Sequence, residues 1–557
     1  MKRFLKFLVA SAIVGSVGVL HAQFYAYPQT IFGFNGVYSF RFMHTAYLFE
    51  DDLDRLFYPV KLSEIEGGRL FTTLSNPFGN EYLFDPSQPT NNQLVLGAKT
   101  NFFMNLSPLF LTSEFGVTQV SKLDTTYKYN WSSGDNNYQN RDEVFDSSYA
   151  KTAFGSKSFL LSMGNRSFGF LFMYVNANSK NMPGRAGTFP FNYGNFVYDY
   201  ARYDNLTGDL LEEYKSEGYA VLDTSYTPIL GAVSFAFGQF SGMVFGGFNS
   251  VRTSDTGSVK AEHNTDPANP FTGDKWDNNR ASNTGAGGPI FGFQGDYGFG
   301  SDSWKANLAF VYALRIMSNG NGRVNEVLKN TTWDGTVSTN NPVFTTINTT
   351  SREFTYSSMA NDFNLYLRNR YALNERVLLG VGLGLYFGLM SGKYDYKKVL
   401  SQSYTFSDAN GNGSVDGADF KSTTTTTRSY KEDMGRTTFF YYLPVGLEIV
   451  PIEAWGNFKL RLGGFYGRLS QTTKTRSYDH SAESKSVTET SLGTTTTYND
   501  IAVPDENVST TKVGASFTQF MYGASWTVAD RVIIDFTGFG YGFLTPAMWN
   551  VSVVVRY

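Results

Sequence analysis

Cysteine is absent from the 557 residues. That excludes a disulfide-stapled scaffold, and with it thiolate zinc, iron–sulfur and thiol-nucleophile chemistry. Charge is scarce too, at 17% of the chain against roughly 25% for a soluble domain. With 46 basic and 49 acidic side chains the formal net charge is -3, so the basic surplus of a nucleic-acid partner is missing. Only four histidines are present. Beyond Leu20 no apolar run reaches the roughly 18 residues of a membrane-spanning helix. What the chain has in plenty is 50 Phe, 36 Tyr and 55 Gly. So many aromatics argue against disorder, and no Pro-rich or Gly/Ser linker divides the chain. One large β-sheet structure is the class that remains.

The two ends sharpen this. Lys2, Arg3 and Lys6 precede an apolar run, Phe7 to Leu20, and then His21-Ala22-Gln23. A charged start, a short apolar stretch and a small residue predict a signal peptide over 1–22, cut after Ala22, and therefore export. At the other end Trp549, Val551, Val553, Val555 and Tyr557 share one face, and Asn550, Ser552, Val554 and Arg556 share the other. This alternation has the length of a tilted strand crossing a bilayer. Ending on an aromatic resembles the C-terminal signal of Gram-negative outer-membrane barrels.

The pattern repeats upstream. Val377, Leu379, Val381, Leu383, Leu385, Phe387 and Leu389 line one face of a strand whose other face carries Gly380, Gly382, Gly384 and Gly388. Its neighbour places Phe363, Leu365, Leu367 and Tyr371 against lipid and Asp362, Asn364, Arg368 and Arg370 inward. The glycines read as small lumen-facing positions that leave room for long side chains opposite, and not as a phosphate-binding loop. Similar hairpins are expected at 158–178, 227–252, 289–316, 436–470 and 512–541. Between them, polar segments at 120–156, 179–225, 253–287, 319–358, 397–431 and 475–508 read as long loops. Short turns on one side and long loops on the other are the habit of outer-membrane barrels. The expected fold is all-β: a transmembrane antiparallel β-barrel over 68–557 with about 16 strands (14 being the alternative), located in the cell outer membrane of a Gram-negative-type bacterium and in contact with its lipid.

Residues 23–67 are expected to form a plug or periplasmic segment. Here Asp51-Asp52, then Phe57-Tyr58-Pro59-Val60 and Glu66-Gly67-Gly68 resemble the N-terminal region of FadL-type fatty-acid and hydrocarbon transporters. The resemblance covers about forty residues. It implies a plug inside a 14-stranded barrel, although that family's Asn-Pro-Ala element reads Tyr58-Pro59-Val60 here.

The sharpest local motif is 408–419. Asp408, Asn410, Asn412, Ser414, Asp416 and Asp419 fall at EF-hand loop positions 1, 3, 5, 7, 9 and 12, with Gly413 at 6. Oxygen donors at that spacing predict a Ca²⁺ site, with Asp at position 12 as in dockerin-type loops, although neither flank looks helical. A solvated Asp/Asn/Gly turn is the plainer reading. No catalytic set is expected: His21 would leave with the leader, and His44, His263 and His480 are scattered. By parity Arg368, Arg370, Lys459, Arg461, Arg556, Asp362, Glu448 and Asp535 point inward, either tuning passage or forming cross-strand ion pairs. Glu448 and Lys459 are expected nearly opposite each other, with Arg461 as another partner for Glu448. The functional expectation is a channel or plug-gated transporter for small solutes, apolar ones included. The alternative is a structural or surface-interaction protein that conducts nothing.

Overall fold

The computed structural model describes residues 48, 55–56, 58–75, 90–101, 104–121, 127–132, 139–182, 195–204, 210–264, 272–334, 344–406, 420–451, 458–490, 493–528, 531–540 and 548–557. The leader expected over 1–22 and the calcium loop expected over 408–419 lie outside the described residues, as does most of 23–54.

The described strands begin with β1 (Arg69–Ser75), β2 (Thr90–Lys99), β3 (Leu106–Ser121), β4 (Tyr127–Ser132), β5 (Gln139–Gly164) and β6 (Phe168–Met182). Next come β7 (Asn195–Asp204), β8 (Leu210–Tyr226), β9 (Ile229–Phe237) and β10 (Phe240–Asn264). The longest follow: β11 (Thr272–Gly300), β12 (Trp304–Asp334), β13 (Phe344–Asn374), β14 (Val377–Phe406), β15 (Phe420–Ile449) and β16 (Phe458–Thr490). The series ends with β17 (Gly493–Asn499), β18 (Asn507–Val528), β19 (Val532–Gly540) and β20 (Met548–Arg556).

The sheet is antiparallel and closes on itself, because β1 pairs with β2 on one side and with β20 on the other. β8 and β9 make one stave, broken at Thr227-Pro228, where proline has no amide to give the ladder. The break is bridged by Thr227 N donating to Ser250 O and Val175 N donating to Pro228 O. β4, β7 and β17 pair only with the upper parts of their neighbours. The wall among the described residues is thus a closed barrel of 16 staves.

Period-two alternation sorts side chains between lipid and lumen as the sequence leads one to expect. Phe363, Leu365, Leu383, Phe387, Leu443 and Leu460 are exposed on the outer face. Asp362, Tyr366, Arg368, Phe440, Arg461 and Asp535 are buried on the inner one. The glycines of β14 do leave room for neighbours. A Cβ on Gly384 would strike the Tyr442 ring, and one on Gly382 would stand 2.8 Å from Pro444 and 3.1 Å from Leu48.

Where the structure departs from expectation is in the polar segments. They are mostly not loops. β12 and β13 run for 31 residues each and β16 for 33, where about 9–11 cross a bilayer. The ladder simply continues into water. Thr423–Thr427 stays paired with 399–403 on one side and 483–487 on the other. Thr424 and Ser486 hydroxyls meet at 3.0 Å, and Ser422 and Thr488 at 3.3 Å. β-Branched Thr suits a strand whatever its polarity. With water on both faces nothing forces an apolar alternation, so the sequence reads as loop. The extension is one-sided: β10 to β16 stand tall, while β19, β20, β1 and β2 have only 7–10 residues.

Candidate functional site

The site begins with a short segment packed on the inner wall. Pro59 opens a 3₁₀ turn, Pro59–Glu64, where the missing amide costs nothing. Leu56, Val60, Leu62 and Ile65 are buried with Tyr58 against the inner faces of the staves, including Leu160, Leu171, Met173, Leu230 and Phe245. The fit is close. Val60 N donates to Ser234 Oγ at 3.2 Å, and a Cβ on Gly169 would come within 2.5 Å of the Pro59 ring. Sequence reasoning missed this lining. Its signal is a stave apolar on both faces, Phe168–Val175 in β6, which a barrel has no use for unless something apolar covers the inside.

The same segment touches the wall elsewhere. Leu48, fully buried, sits beside Gly382 of β14 and near Pro444 of β15. Those staves stand six and seven places from β6 in a wall of 16. Leu48 and Pro59 thus pack against well-separated parts of the inner wall. The segment's exit is tied down by Lys99, which is 1% exposed. The Lys99 ammonium donates to the carbonyls of Ile65 (2.7 Å) and Gly67 (2.9 Å) and to Asn101 Oδ1. A buried ammonium with its three donors satisfied is a strong tether.

Beyond this segment the inner face becomes polar. Arg315 holds Asp362 through Nε at 2.8 Å and Nη2 at 2.6 Å, and the Tyr386 hydroxyl donates to the other carboxylate oxygen at 2.6 Å. Next to them Tyr226 donates to Asn249 Oδ1 at 3.0 Å, and Arg436 Nη2 lies 2.9 Å from Met390 Sδ. The residues come from six staves and share one inward surface.

Of the inward charges read from the sequence, Glu448 is brought together with both proposed partners. Its Oε1 accepts from Lys459 at 2.8 Å and its Oε2 from Arg461 at 2.5 Å. Arg461 is the residue directly opposite and Lys459 reaches in diagonally, the reverse of the expected priority. Asp535 is buried between Ser525 and Ser552. The histidines are apart. His263 Nε2 meets Glu212 at 2.8 Å, beside Arg202, and His480 stacks on Tyr430. His44 and the six residues proposed for calcium, Asp408 to Asp419, lie outside the described residues, and among those described no cluster of three or more His, Asp or Glu is poised for a metal.

No family model and no curated protein matches the chain. The FadL-type resemblance is therefore not carried further, and the 16-stave wall also departs from the 14 it implies. Among solved structures, the ferric preacinetobactin receptor of Acinetobacter baumannii is 9% identical with a TM-score of 0.23, over 88% of this chain and 80% of that one. The ferric-catecholate import receptor of E. coli K12 is 7% identical, TM-score 0.24, over 89% and 82%. The pyoverdine outer-membrane receptor of Pseudomonas aeruginosa is 9% identical, TM-score 0.23, over 88% and 78%. Overlays this loose assign no role to any residue here.

Proposed function

We propose that the protein is a plug-gated outer-membrane channel that passes a small solute, its N-terminal segment serving as the gate. One observation carries this reading: the segment packs on β5, β6 and β9 around Pro59, and Leu48 packs at β14 and β15, six and seven staves away. A merely structural barrel would have no need of N-terminal residues held at both places inside its wall. Polar side chains line the path above it, which suits a solute approaching from water. The outer face bears an apolar band, Phe170, Phe291, Phe310 and Phe439 among its exposed residues, so lipid is the lateral partner. The height of the outer ladder favours a second reading for that part alone, a surface that meets partners outside the cell. Calcium held by 408–419 belongs to the same proposal.

The test uses the absence of native cysteine. A Leu48→Cys/Gly382→Cys pair would place thiols at the gate's far contact, where Leu48 Cδ2 lies 3.1 Å from the position of a Cβ on residue 382. Planar-bilayer recordings are then made on the oxidised and the reduced protein. Gating predicts few openings when the disulfide is closed and restored steps on reduction. Identical traces in both states, or silence in the wild type at every voltage, would overturn the proposal.

A further inference from the structure

The inner face of the outer ladder carries a pattern that stability alone does not explain. Arg352 of β13 is in register with Lys398 of β14, and Lys398 with Arg428 of β15. Three cations on neighbouring staves share one rung. Like charges placed directly opposite destabilise a sheet, so stability does not select this rung. No register shift occurs along β13, β14 and β15 between this rung and Asp362, Tyr386 and Phe440, so it faces inward as they do.

Carboxylates also stand near this rung among the described residues. Asp255 is bound to Arg280 at 2.6 Å, and Glu326, opposite Arg280, acts on both Asp255 and Lys398. Glu432 lies two rungs nearer the membrane. Burial, then the guanidinium groups of Arg352 and Arg428, hold Lys398 below the usual ammonium range. A group in that state gains from any anion brought beside it.

The two rungs below the cations are aromatic. Phe354, Tyr396 and Tyr430 form the first, and Tyr356 and Tyr394 with Glu432 form the second. Tyr396 and Tyr430 are 4.6 Å apart between ring centres, Tyr430 stacks on His480 at 5.5 Å, and Tyr356 stacks on Tyr394 at 5.5 Å with 17° between planes. Alternate rungs are separated by about 7 Å and three staves span about 10 Å. The patch is therefore wide enough for one flat ring system with its charge at the outer end.

From this juxtaposition we infer that the inner face of the outer ladder binds a planar aromatic anion, with its acid group on the Arg352–Lys398–Arg428 rung and its ring against Tyr396 and Tyr430. The inference deepens the channel reading, because it names the class of solute that would collect above the gate, and rests on that reading for its purpose though not for its geometry. Charge-assisted hydrogen bonds supply the anion contact, and ring stacking with cation–π contact supplies the shape preference.

The experiment is titration calorimetry of the refolded full-length barrel with 2-naphthoate, with the neutral 2-naphthylmethanol and with cyclohexanecarboxylate. Saturable binding of naphthoate at least about tenfold tighter than either control is expected, as is weakening by salt. Arg428→Gln and Tyr430→Leu should each weaken it about tenfold. Lys397→Gln, on β14 but on the face opposite Lys398, should leave it unchanged. Equal affinity for naphthoate and the neutral alcohol, no saturable heat, or equal losses from Lys397→Gln and Arg428→Gln would overturn the inference. Bilayer recordings on the same samples keep the two readings apart. Binding without conductance would sink only the channel, and conductance without selective binding only this site.

Discussion

The ring of Tyr557 occupies the space where a side chain on Gly68 would stand: a Cβ there would lie 2.5 Å from Cε2 and 2.6 Å from Cζ. The two backbones also pair, Gly68 N donating to Tyr557 O at 3.2 Å and Tyr557 N donating to Gly68 O at 3.3 Å. The phenol reaches on to Lys99 O, 3.3 Å away. This contact lies at the seam where β20 meets β1. Gly68→Val should therefore overpack the seam and cost about 1–3 kcal/mol. A lower urea midpoint for the detergent-folded barrel checks this, and a midpoint equal to wild type would show that the ring moves aside freely.

Glu448 holds two cations, and the three should not be equal partners. Arg461 is 8% exposed at its side chain and Lys459 41%. Removing the carboxylate with Glu448→Gln strands a buried guanidinium beside an ammonium, for a loss of about 1–3 kcal/mol. Lys459→Met removes a half-exposed partner, for which less than about 1 kcal/mol is expected. Urea unfolding of both single variants and of the double variant measures the coupling. Equal losses from the two singles would contradict the geometry.

The outer ladder should respond to pH through Glu432. Burial raises its carboxyl above the ordinary 4.5. A folded value above the unfolded one means that the native ladder holds the proton more readily. The associated stabilisation is complete below about pH 4.5 and is lost as pH rises through the folded value. Glu432→Gln should thus protect the amides around Tyr394 and Glu432 better than wild type at pH 7, and the two proteins should converge below about pH 4.5. Hydrogen exchange compared at equal pH reads the difference; no difference at pH 7 would refute it.

Calcium is expected at 408–419. Its two ends are joined through the ladder, since Phe406 of β14 is in register with Phe420 of β15. A loop so clamped has less entropy to lose on closing around an ion. Affinity is expected in the range of extracellular modules, about 10⁻⁴–10⁻³ M. Calorimetry of wild type beside Asp408→Ala/Asp419→Ala should show heat only in the former. Matching heats at millimolar calcium would mean a plain polar turn.

The parts of the fold legible from sequence were those where lipid enforces a code. Phe363 against Asp362, or Leu460 against Arg461, could be assigned because one face had to be apolar. Three features escaped for distinct reasons. The ladder beyond the membrane is wet on both sides, so Thr423–Thr427 carries strand propensity without periodicity. Between Met317 and Gly320 the register of β12 shifts against β13, which turns the inward set from odd residues such as Arg315 to even ones such as Gly322, and no composition announces a bulge. The inner lining under Pro59–Ile65 was visible in the doubly apolar Phe168–Val175, but only as an excess needing an occupant. The cation rung could not be read at all, because Arg352, Lys398 and Arg428 meet only through register.

The tall and short sides of the wall also differ in how they must be assembled. From β10 to β16 each stave pairs with the next in the chain, so hairpins of low contact order can zip one after another at small entropic cost. The seam joins Arg69 to Arg556, a closure over nearly the whole chain that no local contact prepares. The order of events then has a natural direction. Topology favours forming the long hairpins first, and the bore exists only once β20 pairs with β1. Until that pairing both edges would offer unpaired backbone to any neighbour, so closing the seam is also what leaves the wall without an open edge.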